Sequence, residues 1–205
     1  MYPQIERYLA ERVAEFGSIP RTRQRTLASL RKWVVARRDA GDTIRLMFVS
    51  ADNSRRSLMA QALAFAASCN YGLDGLTAHS GGAEPTSLNI RALGALRRAG
   101  FAASTRDDSS NPTWMFRFDR DLDPVELFSK RLRHPSNPRK DLCVIMISSE
   151  AEKVVKKVSG ADVTLSLHYS DPRRADGSAD EVDVYDACCA QIAREMAWVF
   201  ARLGS

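Results

Sequence analysis

The feature that most constrains this chain is a short apolar strand running straight into a polar loop. Ile44-Arg45-Leu46-Met47-Phe48-Val49 is followed by Ser50-Ala51-Asp52-Asn53-Ser54-Arg55-Arg56-Ser57. An apolar run bounded by a turn reads as a buried strand. A polar loop that then opens a helix reads as an anion cradle, because unpaired N–H groups and the helix dipole both favour negative charge there. Arg56 adds a planar fork able to hold two oxygens of a phosphate-like group.

The surrounding pattern alternates strand and helix. Met59, Ala62, Leu63 and Ala66 mark a helix ending near Asn70 and Gly72. A strand follows at 76–80, then a Gly81-Gly82 turn, then a helix through Ile90, Leu93 and Leu96 closed by Gly100. Strand, helix, strand, helix implies a parallel sheet with right-handed crossovers. Residues 142–147 and 163–167 read as further strands. Residues 105–140 are irregular and rich in proline, with a strand expected at 114–118 and a short helix at 124–130. On the last helix Val182, Tyr185, Cys189, Ile192, Met196, Val199 and Leu203 share one face.

Ahead of the first strand, residues 1–42 read as two helices without strands. Ile5, Leu9, Val13 and Phe16 mark the first, and Pro20 separates it from a basic second. From Arg21 to Arg38 the chain carries Arg21, Arg23, Arg25, Arg31, Lys32, Arg37 and Arg38 and no acidic residue. Leu27, Leu30 and Val34 give that helix an apolar stripe, so its basic face either meets water or meets an acidic partner such as nucleic acid. The expected division is a helical basic extension over 1–42 and an α/β domain over 43–205.

Composition excludes several classes. With 44% hydrophobic and 27% charged residues over 205 positions, the chain suits one globular domain with a modest extension. No apolar run approaches the ~20 residues that span a bilayer, and no secretory leader is evident. Cys69, Cys143, Cys188 and Cys189 show neither metal-ligand spacing nor a disulfide framework, so no metal or cofactor and a reducing, cytoplasmic setting are expected. The net charge of +5 suits anionic partners. Oligomeric state is not legible.

The loop resembles the signature of the low-molecular-weight protein tyrosine phosphatases and thioredoxin-coupled arsenate reductases: a cysteine, five residues, then Arg-Ser. The resemblance runs over 44–100 and from 141 to the end, and is weakest over 105–140. It implies a three-layer α/β fold with a small, mostly parallel sheet flanked by helices. It puts Ser50 at the nucleophile position, Arg56 and the loop amides on the phosphate, Asn53 as brace of the loop, and Ser57 as hydrogen-bond partner of the nucleophile. Asp171-Pro172, between the last strand and last helix, takes the place of the family's general acid.

Ser50 is the departure that matters. A cysteine at a helix start ionises near neutral pH, whereas a serine hydroxyl needs a general base. None of His79, His134 or His168 lies in the loop. The expectation is a phosphate-binding protein with negligible turnover as written, and a phosphomonoester hydrolase if position 50 is natively cysteine. The alternatives are a natural pseudophosphatase that binds phosphate or phosphoprotein, and a binder of nucleic acid through the basic helix. Arsenate reduction is rejected, because residues 146–157 lack the resolving cysteines that the family keeps there. Arg173 and Arg174, after Asp171-Pro172, suit a further anionic group on the ligand.

Overall fold

A computed structural model describes residues 1–201 and 203. Four strands, β1 (Ile44–Ser50), β2 (Leu76–Gly82), β6 (Leu142–Met146) and β7 (Ala161–Ser166), form a parallel sheet in the order β2-β1-β6-β7. The two central strands are buried along nearly their whole length, as expected of strands covered on both faces. Side chains alternate between those faces. Leu46, Phe48, Cys143 and Ile145 enter the large core, while Met47, Val49, Val144 and Met146 enter a smaller one.

Helices α2 (Arg21–Asp39), α3 (Arg56–Asn70) and α6 (Glu181–Phe200) feed the large core. Ala151 of the short α5 (Ser149–Val154) lies in the smaller one. The helix α1 (Pro3–Ala14) contributes Ile5 and Leu9 to the large core, and α2 contributes Leu27, Leu30 and Val34. The N-terminal helices therefore share one hydrophobic core with the α/β unit. Val13, expected on the buried face of α1, is 42% exposed.

The basic run on α2 is divided: Arg21, Arg25, Lys32 and Arg38 are exposed, while Arg23, Arg31 and Arg37 are half-buried. Arg23 forms a bidentate pair with Glu195 of α6, which is fully buried, and donates to the His168 carbonyl at 2.8 Å. Arg31 stacks on the Trp198 ring at 3.9 Å and donates to the Trp198 and Val199 carbonyls. Arg38 donates to the Leu203 carbonyl. The guanidinium groups of Arg31 and Arg38 thus satisfy carbonyls at the C-terminal end of α6, where the helix dipole favours positive charge. Arg37 pairs with Asp42 and Asp162.

Two expectations are corrected. The segment expected as a helix at 124–130 instead holds a strand, β5 (Val125–Leu127). It forms a second, antiparallel sheet with β3 (Ala102–Ser104) and β4 (Trp114–Arg117), in the order β3-β4-β5. Val125 and Leu127 are buried and Glu126 exposed, a period of two too short to recognise beside Pro124. Gly81 and Gly82 are not a turn but the end of β2, facing Val49 and Ser50. A Cβ on Gly81 would sit 2.6 Å from Leu132 Cα, and one on Gly82 would sit 2.8 Å from the Ala51 carbonyl oxygen. Close backbone approach, not turn geometry, requires both. A further helix, α4 (Ile90–Arg98), completes the fold, with Ile90 itself 74% exposed at its start.

Candidate active site

The loop from Ser50 to Arg55 joins the C-terminal end of β1 to the N-terminus of α3, at the edge where open α/β sheets place their ligands. Asn53 sits at its apex with φ of 46°, in the left-handed region that asparagine tolerates better than most residues. Its side chain ties the turn together. Nδ2 donates to Ser57 Oγ at 2.9 Å, and Oδ1 accepts the Lys130 N–H at 2.9 Å. The neighbouring carbonyls are held from outside: Ala51 accepts from the Ala83 and Glu84 N–H groups, Asp52 from Ser129 Oγ, and Ser54 from the Asn89 N–H. Ser54 Oγ donates to the Ser87 carbonyl at 2.6 Å.

With its carbonyls turned outward and occupied, the loop keeps its N–H groups in reserve. Among the described residues, the main-chain N–H groups of Ala51, Asp52, Arg55, Arg56 and Ser57 have no acceptor. Orphan donors at a helix start, next to a buried guanidinium, are the physical basis of an oxyanion site.

Ser50 is 2% exposed, and its Oγ lies 2.8 Å from Ser57 Oγ and 3.0 Å from the Asn53 N–H that donates to it. Ser57 Oγ accepts from Asn53 Nδ2, and in its contact with Ser50 Oγ either hydroxyl can be the donor. Ser50 Oγ thus has one fixed donor, the Asn53 N–H, and a second available in the Ser57 hydroxyl. That arrangement stabilises an anion at position 50, but offers no group to remove a proton from a hydroxyl. The histidines do not supply one: His79 lies on β2, His134 bonds Ser136, and His168 pairs with Glu152 at 3.0 Å.

Arg56, 9% exposed, donates Nη1 to the Tyr169 carbonyl and Nη2 to Asp171 Oδ2, each at 2.7 Å. Asp171 Oδ1 accepts the Arg173 N–H at 3.0 Å, starting the 3-10 turn of Pro172–Ala175. Arg55 reaches across the mouth, pairing with Asp52 Oδ2 at 2.7 Å and approaching Asp171 Oδ1 at 3.4 Å. Position 171 is therefore beside the loop, where the family resemblance puts it, and both oxygens are engaged. The side chain is still 37% exposed, so a leaving-group oxygen would meet Asp171 alongside these contacts. Arg173 and Arg174 are exposed and make no ion pair among the described residues.

Ser87, Ser129, Lys130 and Tyr169 all touch the loop or its arginine, and none was singled out from sequence. Each acts mainly through main chain or a lone hydroxyl, on a segment without periodic pattern, so no local signal marks it. The cysteines are far from thiolate character: burial pushes Cys188 and Cys189 up to about 12 and raises Cys143 further. Among the described residues no cluster of side chains is arranged to hold a metal ion. No helix there is long and apolar enough to cross a membrane.

Solved structures share this architecture. A YwlE mutant from Bacillus subtilis superposes with a TM-score of 0.54 at 15% identity, covering 80% of this chain and all of that one. A YwlE arginine phosphatase mutant with a phosphorylated active-site serine gives 0.53 at 16% identity, covering 78% of this chain and 95% of its own. A low-molecular-weight protein tyrosine phosphatase from T. tengcongensis gives 0.51 at 17% identity, over 75% and 95% of the two chains. No protein-family model matches the chain, and no curated protein sequence does. At these identities the likeness is one of fold: the chain has the low-molecular-weight phosphatase fold, matched nearly end to end by its neighbours and extended beyond them.

Proposed function

We propose that this chain is a phosphatase-like protein whose 50–57 loop captures tetrahedral oxyanions, the phosphate-like group of a ligand, and that Ser50 blocks turnover. The observation that carries this reading is the row of acceptor-free N–H groups on Ala51, Asp52, Arg55, Arg56 and Ser57, beside the buried Arg56. Arg56 has further N–H groups beyond its two protein contacts, enough to take two ligand oxygens.

Chemistry stops at the nucleophile. The donors around Ser50 Oγ suit a residue that arrives already ionised, as a thiolate does, and a hydroxyl in the same place keeps its proton. A phosphorylated active-site serine in a neighbour of the same fold supports a second stage for this chain: slow transfer of the phosphoryl group to Ser50. There it would stay, because an alkoxide leaves far less readily than a thiolate. The protein would then act as a binder or a single-use acceptor.

The nucleic-acid reading finds less support, since Arg23, Arg31, Arg37 and Arg38 already bind groups within the protein.

The test is p-nitrophenyl phosphate hydrolysis by this chain and by Ser50→Cys, with intact-mass analysis of both. Hydrolysis confined to the cysteine variant, with at most one phosphoryl group accumulating on Ser50, is expected. Equal steady turnover by both proteins would overturn the reading.

A further inference from the structure

The net charge of the chain has one address. Residues 130–160 hold eight lysines and arginines against three acidic residues, an excess of five, while the 22 basic and 22 acidic residues outside them cancel. On a first stretch Arg131, Arg133, Arg139 and Lys140 are exposed, and none makes an ion pair among the described residues. Lys153, Lys156 and Lys157 stand likewise on a second stretch. The three acids do not neutralise them: Asp141 pairs with Arg45, Glu152 pairs with His168, and Glu150 lies in the field of Arg56.

The two stretches are neighbours. Leu132 of the first and Val155 and Val158 of the second pack on the smaller core, so both cover the same face of the parallel sheet. Arg133 and Arg139 share a hollow of about 170 Å³ with Val158 and Ser159. Gly160 packs so closely on the Arg139 carbonyl that no Cβ would fit between them. This basic face also adjoins the phosphate loop. Arg131 bridges to Gly82, the β2 partner of Ser50, while the Lys130 N–H meets Asn53 Oδ1 and Ser129 Oγ meets the Asp52 carbonyl. Between this segment and Pro85 opens a second hollow, of about 380 Å³, lined by Arg131, Arg133, His134, Phe128 and Pro135 and by no carboxylate.

The surface reads charge and little else. Residues 131–160 contain no Phe, Tyr or Trp, so single-stranded nucleic acid finds no stacking platform along them. A duplex offers phosphodiesters and no terminal phosphate to enter the loop. A bilayer needs apolar side chains to insert besides basic ones, and Val154 is the one large apolar side chain exposed here. A polypeptide can carry a phosphoryl group and carboxylates together. We infer that the loop's ligand is a phosphorylated polypeptide with acidic residues beside the phosphorylated one, docked along this basic face. Its phosphoryl group enters the loop, the nearest carboxylate lies in the second hollow against Arg131 and Arg133, and further carboxylates meet the lysines of the second stretch. The inference rests on the phosphate-binding reading of the loop and adds the partner to it.

The test is fluorescence anisotropy with three labelled peptides: one with phosphotyrosine flanked by glutamates, one with those glutamates replaced by glutamines, and one acidic but unphosphorylated. Phosphotyrosine is the probe because its long side chain reaches into a loop whose Ser50 is 2% exposed. The acidic phosphopeptide should bind roughly tenfold more tightly than the neutral one, the sum of several exposed ion pairs of modest strength. That advantage should fall below about threefold in Arg131→Glu/Arg133→Glu and in the milder Arg131→Gln/Arg133→Gln. It should persist when Arg21, Arg25 and Lys32 of α2 are replaced by alanine, and inorganic phosphate should displace both phosphopeptides. Absence of acidic-phosphopeptide binding, equal affinity for the two phosphopeptides, an advantage that survives both variants, or tighter binding of duplex DNA or anionic vesicles would overturn the inference. With inorganic phosphate still bound at the loop, any of these would leave the phosphate-binding reading standing. Equal binding of the acidic peptide with and without its phosphoryl group, unmoved by inorganic phosphate, would instead overturn that reading and this inference with it.

Discussion

Helix α2 and the 50–57 loop are both crowded with arginine, and they hold it in opposite ways. On α2 the guanidinium groups of Arg23, Arg31 and Arg38 are taken up by the protein itself, through Glu195 and the carbonyls around the end of α6. In the loop, Arg56 is anchored along one side by Tyr169 and Asp171, while the amides next to it have nothing to bind. The difference teaches that a count of positive charges does not locate a site. What matters is whether the donors are already satisfied. An arginine with filled partners is structural glue, and a half-anchored arginine beside orphan amides is a receptor.

The largest effect expected from breaking this contrast is at position 50. Deleting a nucleophile in a covalent-catalysis enzyme lowers kcat by up to about 10⁶. On that scale, Ser50→Cys should raise p-nitrophenyl phosphate hydrolysis by ~10³-fold or more. Steady-state rates at matched protein concentration would check it.

Next comes the buried pair at the other pole of the comparison. Arg23→Ala leaves Glu195 charged and fully buried without its partner. Removing one member of such a pair destabilises by about 3–5 kcal/mol. Urea denaturation should register that loss, whereas the oxyanion affinity of the protein that remains folded should change little.

Arg56→Lys should weaken phosphate or vanadate binding roughly 10- to 100-fold, since a point charge replaces a two-pronged donor and charged hydrogen bonds contribute about 1.5–3 kcal/mol each. Joint replacement of Arg21, Arg25 and Lys32 by alanine, three exposed cations of α2, should leave that affinity within about twofold, because screening over a Debye length of about 8 Å blunts distant surface charge. A large loss there would erase the distinction between the two regions.

The smallest effect is a pH dependence from Lys130. Its folded-state pKa of about 8 lies below the ordinary lysine value of 10.5. Between these values the unfolded chain holds a proton that the folded chain has lost, so this group makes stability rise with pH across that window. The penalty for burying the charge is present in full below pH 8. Lys130→Met should therefore gain most over the unaltered chain at pH 7, and its advantage should shrink by pH 10, as read from denaturation midpoints at the two pH values.

How much of this was legible in the residues follows from what kind of signal each element carries. The strand at 44–50, the loop and α3 announce themselves through a sharp change from apolar to polar and back, β6 through an unbroken apolar run, and α6 through its helical periodicity. Of the second sheet only β4 was legible, as the strand expected at 114–118; β3 and β5, three residues each, leave too little pattern, and Pro124 blurs the start of β5. The site divides in the same way. Ser50, Asn53, Arg56 and Ser57 lie close in sequence and carry side-chain chemistry. Lys130 and Tyr169 reach the site through main-chain groups, to which sequence is blind. The inward turn of Arg23 and Arg31 was equally hidden, since charge on a helix wheel does not say what faces it.

The most direct measurement is an inorganic phosphate titration of the isotopically labelled chain, followed through its backbone amide resonances by two-dimensional NMR. The account predicts saturable shifts concentrated at Ala51, Asp52, Arg55, Arg56 and Ser57, with the amides of α2 unmoved. Shifts centred on Arg21, Arg25 and Lys32, with the loop amides silent, would contradict it.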